Sequence, residues 1–130
     1  MNQKIIQELK NILGPENLFT SLEERICYSY DATNQRCLPD VIARPASAQE
    51  VAAVLRLANR EHIPVVPRGA GSGFTGGSLP LEGGIALVLT RMKRILEIDQ
   101  ENLTALVEPG VVTGDLQLAV EEKGLFYPPD

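Results

Sequence analysis

The sequence predicts a mixed α/β fold, and three observations carry that prediction. Short apolar runs rich in Val, Ile and Leu, at 41–44, 63–67, 85–89, 95–99 and 104–108, have the length and composition of strands. Segments with helical apolar spacing stand before, between and after them. One of these separates the first two runs closely enough to read as a βαβ unit with a right-handed crossover. The expected architecture is a small mixed sheet with that βαβ unit and packed helices.

Each element has its own signal. Ile5, Ile6, Leu9, Ile12 and Leu13 recur at helical spacing, and Gly14-Pro15 ends the pattern. Residues 16–40 are mixed in character. Leu22 to Tyr30 reads as a second short helix, followed by a polar turn through Asp31-Ala-Thr-Asn34. Val41–Arg44 is a short strand ended by Pro45. Ser47-x-x-Glu50 has capping-box spacing, and Val51, Val54, Leu55 and Ala58 follow as one apolar face. Ile63–Pro67 is the next strand, then Ile85–Leu89. Ile95–Asp99 and Thr104–Glu108 form a hairpin turning at Gln100-Glu-Asn102. Pro109-Gly110 breaks the pattern, and Leu116, Leu118, Ala119 and Val120 mark a last helix closed by Gly124. The division expected is a helical lead-in at 1–39 and a ligand-binding α/β part at 40–130.

Composition narrows the function classes. The 130 residues suffice for one domain with a modest core. Seventeen acidic against twelve basic residues give a net charge of −5, and Trp is absent. Both facts argue against nucleic acid as a partner, which calls for a basic surface and stacking aromatics. The N-terminus lacks the apolar core of a signal peptide, and Ile85–Leu89 is far too short to span a bilayer, so a cytoplasmic protein with no transmembrane segment is expected. Cys27 and Cys37 have neither metal-ligand spacing nor a secretory context, and read as reduced thiols.

Seven of the eleven glycines fall between Gly69 and Gly84, which concentrates attention on Val66-Pro-Arg-Gly-Ala-Gly-Ser-Gly-Phe-Thr-Gly-Gly-Ser-Leu-Pro80. The segment contains G-x-G-x-x-G, from Gly71 through Gly73 to Gly76. The dinucleotide fingerprint also needs a helix opening inside the motif, and Pro80, Gly83 and Gly84 interrupt any helix there. A P-loop is excluded because no Lys-Ser/Thr pair follows the glycines. Closely spaced glycines still let the backbone approach a ligand, and successive N–H groups can converge on an anion. Ser72 and Thr75 add hydroxyls, and Arg68 is expected to add a positive charge at the loop entrance. The chemistry suits a pyrophosphate, although a tight surface loop that binds nothing has the same composition.

Here the residues resemble a family. Pro67-Arg-Gly-Ala-Gly-Ser-Gly-Phe-Thr-Gly-Gly77, followed by Leu79-Pro-Leu-Glu-Gly-Gly84, is similar to the flavin loop of the FAD-linked oxidases. The nearest likeness is to the FAD subunit of glycolate oxidase and its D-lactate dehydrogenase relatives, in the vanillyl-alcohol-oxidase superfamily with its PCMH-type FAD-binding domain. Asp40-Val-Ile-Ala-Arg-Pro45, Arg91-Met-Lys-Arg-Ile-Leu-Glu-Ile-Asp99, Glu108-Pro-Gly-Val111 and Gly124-Leu-Phe-Tyr-Pro-Pro-Asp130 agree in the same order.

The resemblance implies the N-terminal portion of a two-part FAD-binding domain. Carried over residue by residue, Pro67 and the backbone of Arg68, Gly69, Ala70, Gly71, Ser72 and Gly73 would hold the FAD pyrophosphate. Thr75, Gly76 and Gly77 would continue the wall toward the flavin. Gly110 would support the cofactor from its turn, and Pro128 and Pro129 would come near the flavin. Tyr127 and Asp130 could lie close by on the same grounds. Many superfamily members attach FAD covalently through a histidine in this loop. Ser72 stands at the comparable position here, so non-covalent FAD is expected.

The implied parent is a flavin-dependent dehydrogenase or oxidase of 2-hydroxy acids, of glycolate or D-lactate type, working with further subunits of an oxidase complex. The alternative is a non-catalytic nucleotide- or phosphate-binding module using the same loop. The stretch Tyr127-Pro128-Pro129-Asp130 reads as a cut end, with the second FAD segment and the substrate domain expected beyond it. No catalytic or metal-ligating residue is therefore assigned. His62, the sole histidine, is expected to be a solvated loop residue, and Arg91, Lys93 and Arg94 a solvated turn.

Overall fold

The computed structural model describes residues 1–129 and divides the chain into two compact units, Met1–Arg91 and Met92–Asp130. In the first unit the elements are α1 (Gln3–Leu13), a 3-10 turn (Pro15–Asn17), β1 (Leu18–Phe19), α2 (Leu22–Cys27), β2 (Val41–Ala43), α3 (Ala48–Glu61), β3 (Val65–Arg68) and β4 (Ile85–Val88). The second holds β5 (Ile95–Asp99), β6 (Thr104–Val107) and α4 (Thr113–Glu121).

The sheet of the first unit has the order β1-β2-β4-β3. β2 and β3 each run parallel to β4, while β1 is an antiparallel edge. The strand–helix–strand unit forms as expected, but its two strands are not neighbours. β4 enters the gap between them, bringing the chain back after the glycine-rich segment.

Both faces of this sheet are covered. Val41, Ala43, Ile85 and Leu87 pack with Leu9 and Leu13 of α1 and with Val54, Leu57 and Ala58 of α3. The alternate residues Ile42, Ala86 and Val88 meet Phe19 and Tyr28 on the other face. Burial on both sides removes the polar alternation of a half-exposed strand. Each large aliphatic side chain enclosed here contributes about 1.5–3 kcal/mol.

Helix ends follow local chemistry. Asn2 Oδ1 accepts the Ile5 N–H at 3.0 Å, and Gly14 closes α1 with φ +84°. Ser47 Oγ accepts the Glu50 N–H at 3.2 Å, but the expected reciprocal bond is displaced. Glu50 Oε2 instead accepts the N–H of Ala46 at 2.7 Å, one residue further back. The complete capping box belongs to α2, between Ser21 and Glu24. That helix also stops at Cys27, short of the expected Tyr30.

In the second unit β5 and β6 pair antiparallel, with a bulge between Ile95 and Glu97. The turn falls where Gln100-Glu-Asn102 predicts it. Asp99 Oδ1 accepts the N–H groups of Glu101 and Asn102, and Leu103 takes φ +56°. α4 buries Leu116 and Val120, and Gly124 lies beyond its end with φ +72°.

Candidate functional site

β3 delivers the chain to the glycine-rich segment. The last ladder bond runs from the Leu89 N–H to the Arg68 carbonyl at 3.0 Å, and from Gly69 the backbone leaves the sheet. No helix forms before β4, as the prolines and paired glycines required. Leu79 and Pro80, both buried, tie the chain down again, with the Leu79 N–H on the Gly76 carbonyl at 3.1 Å. The return to β4 is clamped by Asp40, whose Oδ2 accepts the Gly84 N–H at 2.9 Å. Gly84 has φ +79°, and a Cβ there would overlap the Pro64 carbonyl.

Between these anchors, residues 69–77 form an open arc. Among the described residues, no backbone carbonyl accepts the N–H of Gly69, Ala70, Gly71, Ser72, Gly73, Phe74 or Thr75. A row of N–H groups without carbonyl partners, beside two exposed hydroxyls, Ser72 and Thr75, has the chemistry to receive an acceptor. Pro67, Gly69, Ala70, Gly73 and Gly77 are exposed on the same segment, and Gly71 and Gly76 are partly covered.

The glycines have different reasons to be glycine. Gly71 and Gly76 take φ of +73° and +76°. A Cβ on Gly71 would also run into the Arg68 guanidinium. Gly69, Gly73 and Gly77 have no positive φ. A Cβ on Gly69 or Gly73 would meet nothing within 4 Å, and one on Gly77 would make an ordinary 3.7 Å contact with Thr75 Oγ1. Nothing inside the chain requires glycine at these three positions.

Arg68 is not the open charge the sequence led us to expect. It is only 6% exposed, and its side chain turns inward. Nη1 donates to the Tyr28 and Tyr30 carbonyls at 2.9 and 3.2 Å, and Nη2 to the Ala70 carbonyl at 3.5 Å. The guanidinium lies over the Tyr28 ring, 5.4 Å from its centroid. Burial pushes the Arg68 pKa down, against opposing effects of Tyr28, Tyr30 and, least, Asp31. An arginine starts so high that it stays charged.

Asp31 is the partner that sequence reasoning missed. Its Oδ1 accepts from both the backbone N–H and the hydroxyl of Thr33, an Asx-turn arrangement. The Thr33 hydroxyl is the main reason its carboxyl sits below the usual carboxylate range, with the Gly76 N–H and Arg68 contributing in the same direction. The spacing Asp31-x-Thr33 was a visible signal for the turn. Its place beneath the glycines, 40 positions along the chain, was not.

The remaining positions of interest belong to the second unit. The Gly110 N–H donates to the Met92 carbonyl at 2.7 Å, fixing the Pro109-Gly110 turn. Beside it Glu108 Oε1 accepts from Arg94 Nε and Nη2 at 3.0 and 2.9 Å, and Oε2 accepts the Arg94 N–H at 2.8 Å. Arg94 thereby holds the Glu108 carboxyl below its ordinary range. Lys93 and Arg94 are exposed, as expected of a solvated turn, with Arg94 also paired to Glu108, while in the first unit Arg91 is half-buried and donates to the Arg44 carbonyl at 2.8 Å. The Pro129 carbonyl accepts from Gln117 Nε2 at 2.7 Å. Asp130 lies outside the described residues. An apolar cavity of about 490 Å³ between the hairpin and α4 is lined by Ile98, Leu103, Val107, Leu116 and Phe126, with no charged side chain to receive an anion. His62 is exposed and caps α3 in the left-handed conformation, and both cysteines are free thiols. Among the described residues no three His, Cys, Asp or Glu converge on a metal site, and no helix is long and apolar enough to cross a membrane.

A family model for an FAD binding domain matches residues 39–130. The chain belongs to this FAD-binding domain family. Its sequence is 46% identical to the glycolate oxidase subunit GlcD of Bacillus subtilis, over the whole chain and 28% of that protein. It is 36% identical to a D-lactate dehydrogenase of Anaerostipes hadrus, over 98% of the chain and 27% of that protein. The fold matches p-cresol methylhydroxylase with a TM-score of 0.84 and 27% identity, over 94% of the chain and 25% of that structure. The chain therefore spans less than a third of the relatives it matches. Both the family resemblance and the mixed α/β fold expected from the sequence are borne out.

The loop fits the family's cofactor. An FAD pyrophosphate needs several donors at close range, and the arc from Gly69 to Thr75 offers its backbone N–H groups with little side-chain obstruction.

Proposed function

We propose that this chain is the pyrophosphate-binding portion of a flavoprotein that oxidises small 2-hydroxy acids of glycolate or D-lactate type. One observation carries the reading: Gly69, Gly73 and Gly77 are glycines that neither backbone sign nor internal packing explains. A ligand lying against the backbone explains them, because a Cβ would stand between the N–H groups and the phosphate oxygens. The names of the relatives supply the substrate class.

In this reading Pro67 and Arg68 end the strand that aims the loop. The N–H groups of Gly69, Ala70, Gly71, Ser72 and Gly73 then donate to the pyrophosphate. Thr75, Gly76 and Gly77 extend the wall. When bound, FAD would supply the redox chemistry, the two-electron oxidation of a 2-hydroxy acid to a 2-oxo acid. The chain's own residues bind and orient the cofactor. Substrate-handling groups lie elsewhere in the longer protein, and further subunits take part, as the name of the Bacillus relative suggests. We place the protein in the cytoplasm, where two free thiols persist.

The cofactor is held without a covalent link. The arc 69–77 contains no histidine, cysteine or tyrosine, and Ser72 stands at the position comparable to the linking histidine of covalent relatives. Acid precipitation of the full-length flavoprotein tests this directly. All of the yellow flavin is expected in the supernatant, and flavin remaining with the precipitate would contradict a non-covalent site.

A further inference from the structure

The arc is short of internal support. It contains five glycines among nine residues, and none of the backbone N–H groups from Gly69 to Thr75 is held by a carbonyl within the described chain. Such a segment loses much conformational freedom when a ligand orders it, which weakens binding. Yet three contacts reach it from the segment 28–33, far away in sequence. The Ala32 N–H donates to the Gly73 carbonyl at 3.2 Å. The Asp31 carboxylate faces the Gly76 N–H. Arg68 spans the Tyr28, Tyr30 and Ala70 carbonyls, and its guanidinium fills the space beneath Gly71.

We propose that Asp31 and Arg68 are positioning residues, two buried charged side chains that set the glycine arc in its anion-receiving shape before any ligand arrives. The proposal rests on the pyrophosphate reading above. Asp31 is 4% exposed and Arg68 6% exposed, an expensive placement for two charges unless they organise something. Each is also incompletely used. Asp31 Oδ2 and Arg68 Nε are buried without a hydrogen-bond partner, so the pair exceeds what packing of the 28–33 turn alone would need. Asp31 grips Thr33 with one oxygen, and the Gly76 N–H of the arc acts on the same carboxylate. Arg68 ties the strand end to the same turn. Apparent affinity falls with the fraction of protein whose arc is competent, so losing the brace weakens the cofactor's binding constant.

The test uses the full-length protein, stripped of flavin and titrated with FAD. Asp31→Ala is expected to weaken FAD binding by about 10- to 100-fold, the scale of losing hydrogen bonds to a charged group. The melting temperature of its flavin-free form should fall by no more than a few degrees. Asp31→Asn keeps an oxygen for Thr33 but loses the charge and one acceptor oxygen, so it should hold the melting temperature and still bind FAD at least about fivefold more weakly than wild type. Affinity unchanged in Asp31→Ala, or wild-type affinity in Asp31→Asn, would overturn the brace. Should Asp31→Ala fail to fold, Arg68→Lys reads the other half. It keeps the charge but loses the fork across Tyr28 and Tyr30, and should weaken FAD about tenfold; wild-type affinity would overturn the proposal. A wild-type protein that binds no FAD refutes the pyrophosphate reading instead, so the two failures are distinct.

Discussion

Gly71 and Gly73 stand two positions apart and answer to different demands. Gly71 has φ +73° and the Arg68 guanidinium beneath it, so folding itself excludes a side chain. Gly73 has neither constraint. Gly71→Ala should therefore cost stability, about 1–2 kcal/mol for the left-handed backbone plus the displacement of Arg68. Gly73→Ala should leave stability within about 0.5 kcal/mol and weaken FAD binding. Urea unfolding of the flavin-free proteins separates the two, and equal destabilisation would undo the distinction. The glycines and their spacing were legible in the sequence, but the difference between them was not. Backbone sign and the position of a guanidinium are properties of the fold. Arg68 shows the same limit, since its charge was plain and its inward direction was decided by carbonyls of residues 28 and 30.

Helix limits were set by chemistry close by in the chain. Gly14 and Ser47 were legible at the ends of α1 and α3, whereas the Asn2 cap was not, and α2 ends at Cys27, short of the expected Tyr30. Ser47→Ala should cost about 1 kcal/mol in thermal unfolding, because Glu50 bonds to Ala46 and does not replace the lost acceptor. No measurable change would mean the cap is redundant. Strand pairing was less accessible. Val41, Ile42 and Ala43 are all buried, so their pattern says strand without saying which neighbours flank it. The entry of β4 between β2 and β3 depends on where the glycine-rich segment returns, which Asp40 and Gly84 arrange from 44 residues apart. β1 spans two residues, too few for any periodicity.

At the scale of the molecule, the proposed function asks an acidic chain of net charge −5 to hold an anion. The arrangement makes sense only if local dipoles outweigh the overall charge. The arc supplies them as backbone N–H groups, with Arg68 buried beneath rather than lysines displayed around it. The second unit contributes a hairpin and helix whose cavity is apolar, which leaves anion binding to the first. The most direct test of this account is a titration of the flavin-free full-length protein with FAD, followed by flavin fluorescence, with the Gly73→Ala variant alongside. The account predicts saturable binding of one FAD per chain, weakened in the variant while its melting temperature holds. No flavin binding by the wild type, or equal binding by the two proteins, would contradict it.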